Sequence, residues 1–482
     1  MDFSDYRRHD ATGLAALVAG GEVTPGELLA TALARLDEVQ PRLRPLSLIE
    51  TDFAEACLTA GLPDGPFNGV PFLLKDLFAF LPGTRLTNGS RLTEGMACAF
   101  ETTLVARFRA AGLLVFGKTA SPEFGINVST ESVLHGPVRN PWNPSLSAGG
   151  SSGGAAVAVA SGILPMAHAS DGGGSIRIPA SECGLVGLKP SRARNPVGPV
   201  VGEAWNGLSC GHVVSRSVRD TAAMLDATAG PEPGDPYACP PISGTFLEAA
   251  GRDPAALRIA LVTEAPGGFP VDPVCVTATE TVALKLQALG HHVMAGRLEI
   301  DGAALAETMA TIVAVNAAND LAIWQQVMGR RADAATVEGC TRLLAERGRA
   351  IAATDYAKAV SGLHQTARQF ARAFATADLV LTPTLAGPPP PLGLLDQNMA
   401  ELDRFLALNA ALIPFTPLYN ITGCPAISLP LEHGPDGLPL GVMLGAPLGR
   451  EDLLLEVAGQ LERAHPWFDR VPPELARPSG DG

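Results

Sequence analysis

Lys75, Ser151 and Ser175 lie far apart in the chain, yet each stands in a setting that suits one reaction centre. Ser151 sits in the run Gly149-Gly150-Ser151-Ser152-Gly153-Gly154, and Ser175 closes Asp171-Gly172-Gly173-Gly174-Ser175. A serine preceded by three glycines has backbone N–H groups beside its own hydroxyl with no Cβ to shield them, as a nucleophile with an oxyanion hole requires. Lys75 ends the apolar run Gly69-Val70-Pro71-Phe72-Leu73-Leu74, which carries its ammonium into a dry interior. A buried lysine gives up its proton near neutral pH and serves as a general base. Together the three read as a serine hydrolase whose base is a lysine, with the N–H groups of Gly172, Gly173, Gly174 and Ser175 placed to stabilise a tetrahedral oxyanion.

Taken singly, each signal has a plainer reading. Glycine-serine runs are ordinary flexible loops, and a lysine at a strand end ordinarily snorkels to solvent. Asp171 and Arg177, which bracket Ser175, read as an ion pair that holds the loop rather than as catalytic groups. Two further matches point elsewhere. Gly112 to Thr119 has Walker A spacing, but Leu113-Leu114-Val115-Phe116 is a buried strand where a phosphate loop needs turn-forming residues. Gly149 to Gly153 also fits a nucleophile elbow, with His433 or His465 as a late-chain histidine. An elbow needs a strand before it, and Asn140-Pro141-Trp142-Asn143-Pro144 is a loop.

The wider context is more specific. Arg139-Asn140-Pro141-Trp142, the glycine-serine run and Gly184-Leu185-Val186-Gly187-Leu188-Lys189-Pro190 form one pattern. It is flanked by Gly117-Lys118-Thr119-Ala120-Ser121-Pro122-Glu123-Phe124-Gly125 and by Asn420-Ile421-Thr422-Gly423-Cys424-Pro425-Ala426. This pattern resembles the amidase signature family of serine amidases, closely at both ends of the chain and loosely across 240–415. The resemblance implies one large amidase domain over 1–482, a signature core at 65–200 and a divergent substrate-pocket region at 240–415. It also implies that Ser175 is the nucleophile, Ser151, after a cis peptide bond, the bridging serine, and Lys75 the base, with neither metal nor cofactor.

The segment Trp205 to Ser209 with His212 to Asp220 looks most like the free-standing bacterial amidases that include 6-aminohexanoate cyclic dimer hydrolases. The expected substrate is therefore a small-molecule amide or carbamate, with anilides and esters open to the same chemistry. The Ala, Leu, Val and Phe content of 240–415 favours apolar or aromatic groups. Two alternatives stand beside this: a subunit of a tRNA-dependent amidotransferase in a heteromeric complex, and a non-catalytic scaffold of the same fold.

The 482 residues carry 49 acidic and 35 basic side chains, a net charge of −14 that disfavours nucleic acid or an anionic membrane as partner. Eight scattered cysteines without metal-ligand spacing read as reduced thiols of a cytoplasmic protein, monomeric or homodimeric. The elements that must position the site alternate. Thr24-Pro25-Gly26-Glu27 predicts a capped amphipathic helix, and Asp272-Pro273 opens another that Gly290 closes. Strands are predicted at Val70–Leu74, Leu113–Phe116, Ile259–Val262, Leu379–Leu381 and Ala426–Leu429. Ala155–Ala160 reads as a small-residue helix buried against the sheet, and the stripe Val360, Leu363, Ala367, Phe370, Phe374 as core packing. The fold expected is α/β, a single α/β/α sandwich around a large mixed sheet.

Overall fold

The protein is described by a computed structural model over residues 1–473. Thr24 accepts the Glu27 N–H while the Glu27 carboxylate accepts the Thr24 N–H, and this capping box starts the helix Pro25–Leu43, which buries Leu28, Leu29, Ala32 and Leu36. Asp272 caps Pro273–Ala288 through the Val274 N–H, and Gly290 follows that helix at φ +94°.

Eight strands form one mixed sheet in the order His292–Ala295, Arg258–Leu261, Leu379–Pro383, Pro439–Gly445, Ala426–His433, Val186–Lys189, Cys210–Ser215, Met166–Asp171. The first three run parallel and the remaining neighbours antiparallel. A second sheet joins Leu46–Ile49, Leu114–Thr119 and Pro71–Lys75. Its edge strand Pro71–Lys75 packs beside Met166–Asp171.

Alternate strand residues feed two layers, as the pleat requires. Leu379 and Leu381 pack with helices Val218–Thr228, Pro273–Ala288 and Glu451–Ala464. Val380, between them, packs with Ala353–Phe370 and Thr416–Thr422 on the opposite face. Val442 and Leu444 divide from Met443 in the same way. The architecture is thus the expected sandwich around a large mixed sheet.

All five strands read from the sequence are present. Leu46–Ile49 and His292–Ala295 are additional, as are four further strands of the large sheet, Met166–Asp171, Val186–Lys189, Cys210–Ser215 and Pro439–Gly445. These four are buried almost throughout, so they show no alternation of apolar and polar residues, and their Gly, Ser, His and Asp content hides them further. The helix Gly153–Ala160 is wholly buried, as its small residues allow. Leu363 and Phe370 enter the core, whereas Phe374 falls in the 3₁₀ turn Ala371–Ala375 beyond the helix.

Among the described residues no single helix is long and apolar enough to cross a membrane. The pair Leu402–Leu412 and Thr416–Thr422 reaches that length and composition only together, bent by 94°, and the second member is buried in the core. The eight cysteines are unpaired.

Candidate active site

Lys75 ends a strand whose five residues are all buried, and its own side chain is fully enclosed. Its Nζ lies 2.6 Å from Ser151 Oγ and 3.0 Å from Ser170 Oγ. Burial lowers the lysine pKa to about 7, with the Asp171 charge pulling the other way. On the neighbouring strand, His168 accepts the Lys75 backbone N–H at Nδ1 (3.2 Å), so its own proton sits on Nε2. Burial first, then the Lys75 charge, hold His168 neutral with a pKa of about 3.

Ser151 follows a cis peptide bond from Gly150 and stands just before the buried helix Gly153–Ala160. The glycine-serine run around it is closely packed, every residue from 149 to 154 being buried. Gly149, at φ +77°, leaves 2.6 Å between an added Cβ and Pro179 Cα, so only glycine fits. Four consecutive prolines at 388–391 brace the approach to this run, where the Ser147 N–H donates to Pro390 O at 2.8 Å.

Ser175 lies between the strand Met166–Asp171 and the helix Arg177–Cys183, 9% exposed, and lines the same cavity as Ser151. Asp171 organises its loop. The carboxylate accepts the N–H of Gly174 (2.7 Å) and of Ile176 (3.2 Å), two Arg177 guanidinium donors (both 2.9 Å) and Asn420 Nδ2 (2.8 Å). Burial alone would raise the Asp171 pKa; Arg177 and Asn420 bring it down to about 2. Arg177 also donates to Thr416 O (2.9 Å) and Asn420 Oδ1 (2.7 Å). Gly174 stands at φ +136°, and a Cβ there would meet Thr416 Oγ1 at 2.4 Å.

One expectation is corrected here. The Gly174 N–H is committed to Asp171 and is withdrawn from the four amides expected to face a carbonyl oxygen. Gly172, Gly173 and Ser175 are the loop residues that line the cavity.

The amidase family profile matches residues 27–455. The chain belongs to the amidase signature family. The 6-aminohexanoate-cyclic-dimer hydrolase of Paenarthrobacter ureafaciens is 38% identical over 98% of this chain and 97% of its own length. A solved structure of 6-aminohexanoate cyclic dimer hydrolase complexed with substrate has a TM-score of 0.92 at 36% identity, covering 97% of this chain and 99% of that one. A bacterial aryl acylamidase of the amidase signature family has a TM-score of 0.88 at 26% identity, covering 98% and 99%.

The cavity of this amidase holds about 890 Å³, within the range of small-molecule sites. Its walls come from three parts of the chain. Phe78, Phe80 and Phe124 come from the first half, Val197 to Trp205 from the middle, and the helix Gly302–Met328 supplies Leu305, Met309 and Trp324. The region 240–415 therefore builds part of the wall and shares it with the signature core.

Several residues near the site were not singled out from the sequence. Ser170 and His168 lie on a strand whose burial conceals it. Asn420 stands in the family-like segment and was legible there as a motif residue, though not as the clamp on Asp171. Trp205 and Asn206 open a segment legible from its family resemblance, though not as a wall of the site; both adopt positive φ (50° and 54°), and the Trp205 ring lies 3.1 Å from where a Gly172 Cβ would stand. Lys118, His433 and His465, which the rival motifs would need, do not line the cavity. Lys118 is buried in its strand and donates to Ala79 O at 2.9 Å, and His433 packs on Trp142.

Proposed function

We propose that the protein hydrolyses small apolar or aromatic amides through an acyl-enzyme on Ser175, with Ser151 as bridge and Lys75 as base. The observation that carries this is an enclosed lysine whose Nζ sits 2.6 Å from Ser151 Oγ, at a cavity that Ser151 and Ser175 both line. With a pKa of about 7, Lys75 is present in its neutral form at working pH. Ser175 Oγ attacks the carbonyl carbon and its proton passes to Ser151, whose own proton moves to Lys75 Nζ. The relay then runs backwards to protonate the leaving nitrogen, and water repeats the cycle on the acyl-enzyme. The amides of Gly172, Gly173 and Ser175 take the oxyanion, each such donor being worth about 3–4 kcal/mol in comparable sites. Asp171, Arg177 and Asn420 hold that loop without touching substrate.

The predominantly apolar lining supports aryl and alkyl amides, and carbamates and esters with the same groups. A panel of anilides, carbamates and esters sharing one acyl group defines the leaving-group range. Ser175→Ala is expected to abolish turnover on all of them with an unchanged thermal melt, and a sulfonyl fluoride is expected to modify Ser175 alone by peptide mapping. An adduct on Ser151 in place of Ser175 contradicts the assignment.

A further inference from the structure

The helix Gly302–Met328 crosses the cavity with an apolar face interrupted at one place. Asn316, Asn319 and Asp320, at i, i+3 and i+4, all line the cavity there. Burial raises the Asp320 carboxyl to a pKa of about 6, and the neighbouring Trp205 side chain offsets part of that rise. The carboxyl is therefore mostly ionised at mildly alkaline pH. A carboxylate offers about four acceptor positions, more than one neighbouring indole N–H can fill. The second acid of the lining, Glu203, interacts with the Arg192 guanidinium. Among the described residues that line the cavity there is no lysine or arginine.

We propose that Asp320 is a specificity-determining subsite that takes an ammonium or other N–H donor carried by the substrate away from its scissile carbonyl, and that the cavity rejects a carboxylate in that place. This rests on the cavity being the amidase substrate site. Trp205 sets the spacing. Its ring packs on Gly172 in the nucleophile loop and its side chain also neighbours Asp320, so the indole separates the subsite from that loop. Substrates that fit are amides whose acyl or amine part runs along an apolar wall for a few bonds and ends in an amino group or a second amide N–H. Apolar contact supplies affinity and the single acid supplies selection, because an unpaired carboxylate brought beside Asp320 meets a like charge with no cation to offset it.

Binding reads this without any turnover. Titration calorimetry at about pH 8, where alkylammonium ions remain charged, is run with 3-phenylpropylamine, 3-phenylpropan-1-ol and 3-phenylpropanoate on the wild-type protein and on Asp320→Asn. The amine is expected to bind at least about tenfold more tightly than the carboxylate, as a hydrogen-bonded charge pair provides. In Asp320→Asn, which keeps the size of the side chain and removes its charge, that ratio is expected to fall to about threefold or less, with the alcohol changing least. Equal binding of amine and carboxylate by the wild type, survival of the ratio in Asp320→Asn, or no binding of any of the three overturns the subsite. Failure of the amide panel to turn over overturns the hydrolase reading and leaves these ratios as an independent result.

Discussion

Lys75, the proposed base, is a group whose environment works against its charge. Because burial holds its pKa near 7, amide turnover is expected to rise from acid through about pH 7 and then level, as the neutral base fills. An inflection that follows the lysine disappears in Lys75→Met if the assignment holds, and an unchanged pH profile in that variant denies Lys75 a titrating role. The same substitution tests the energetics. An enclosed ammonium costs stability that an apolar side chain of similar length does not, so Lys75→Met is expected to lose activity while its melting temperature rises. A lower melting temperature would mean that the bonds to Ser151 and Ser170 outweigh the desolvation. Lys75→Met is also expected to slow an amide more than an activated ester with the same acyl group, since only the amide needs a proton delivered to its leaving atom.

The loop Asp171–Arg177 is an element held from outside itself. Asp171 and Arg177 are fully buried, and their shared partner Asn420 belongs to the helix Thr416–Thr422. Arg177→Met leaves the carboxylate without its charge partner and is expected to cost about 3–5 kcal/mol in urea unfolding, with part recovered in Asp171→Asn/Arg177→Met. Additive losses in the double variant would show that the pair is not the unit of stability. How far this element was legible follows from where its parts lie. Ser175, Ser151 and Lys75 stand beside glycines and an apolar run that suggest chemistry, and the family resemblance of the surrounding segments turns that suggestion into an expectation. The ion pair is six residues apart and was equally readable. Asp320, Trp205 and Ser170 acquire meaning only from residues that tertiary packing brings to them, and Gly174 was misread because its amide looks free until the Asp171 side chain is seen folded back onto it. The mixed sheet was legible as a class, but its wholly buried strands lack the alternation by which a strand is recognised.

Across the whole molecule, buried Asp220 and half-buried Glu462 tie the N-terminal helices to the C-terminal one. Asp220 accepts the N–H groups of Ala11 (2.7 Å) and Thr12 (2.9 Å), and Glu462 accepts that of Val218 at 3.1 Å. Burial raises both carboxyls to about 7, helped at Asp220 by the nearby Asp10. Between the ordinary carboxyl pKa near 4 and about 7 the folded chain keeps protons that the unfolded chain has released, so stability from these groups falls as pH rises through that window. The midpoint of urea unfolding is expected to fall less between about pH 5.5 and pH 8 in Asp220→Asn and Glu462→Gln than in the wild type. Parallel curves for the three proteins would rule this out. The clamp on the nucleophile loop bears on how the chain becomes active during synthesis. Asp171 and its partner Asn420 are separated by 249 positions. At a ribosomal speed of about 5–20 residues per second, roughly 12–50 s pass between the two leaving the peptidyl-transferase centre. Throughout that interval Ser175 exists but the loop that holds it, the proposed nucleophile, has nothing to close on. A nascent chain is thus silent toward the amides around it, and a fragment ending at residue 400 is expected to resist labelling by a fluorophosphonate that the full chain takes up.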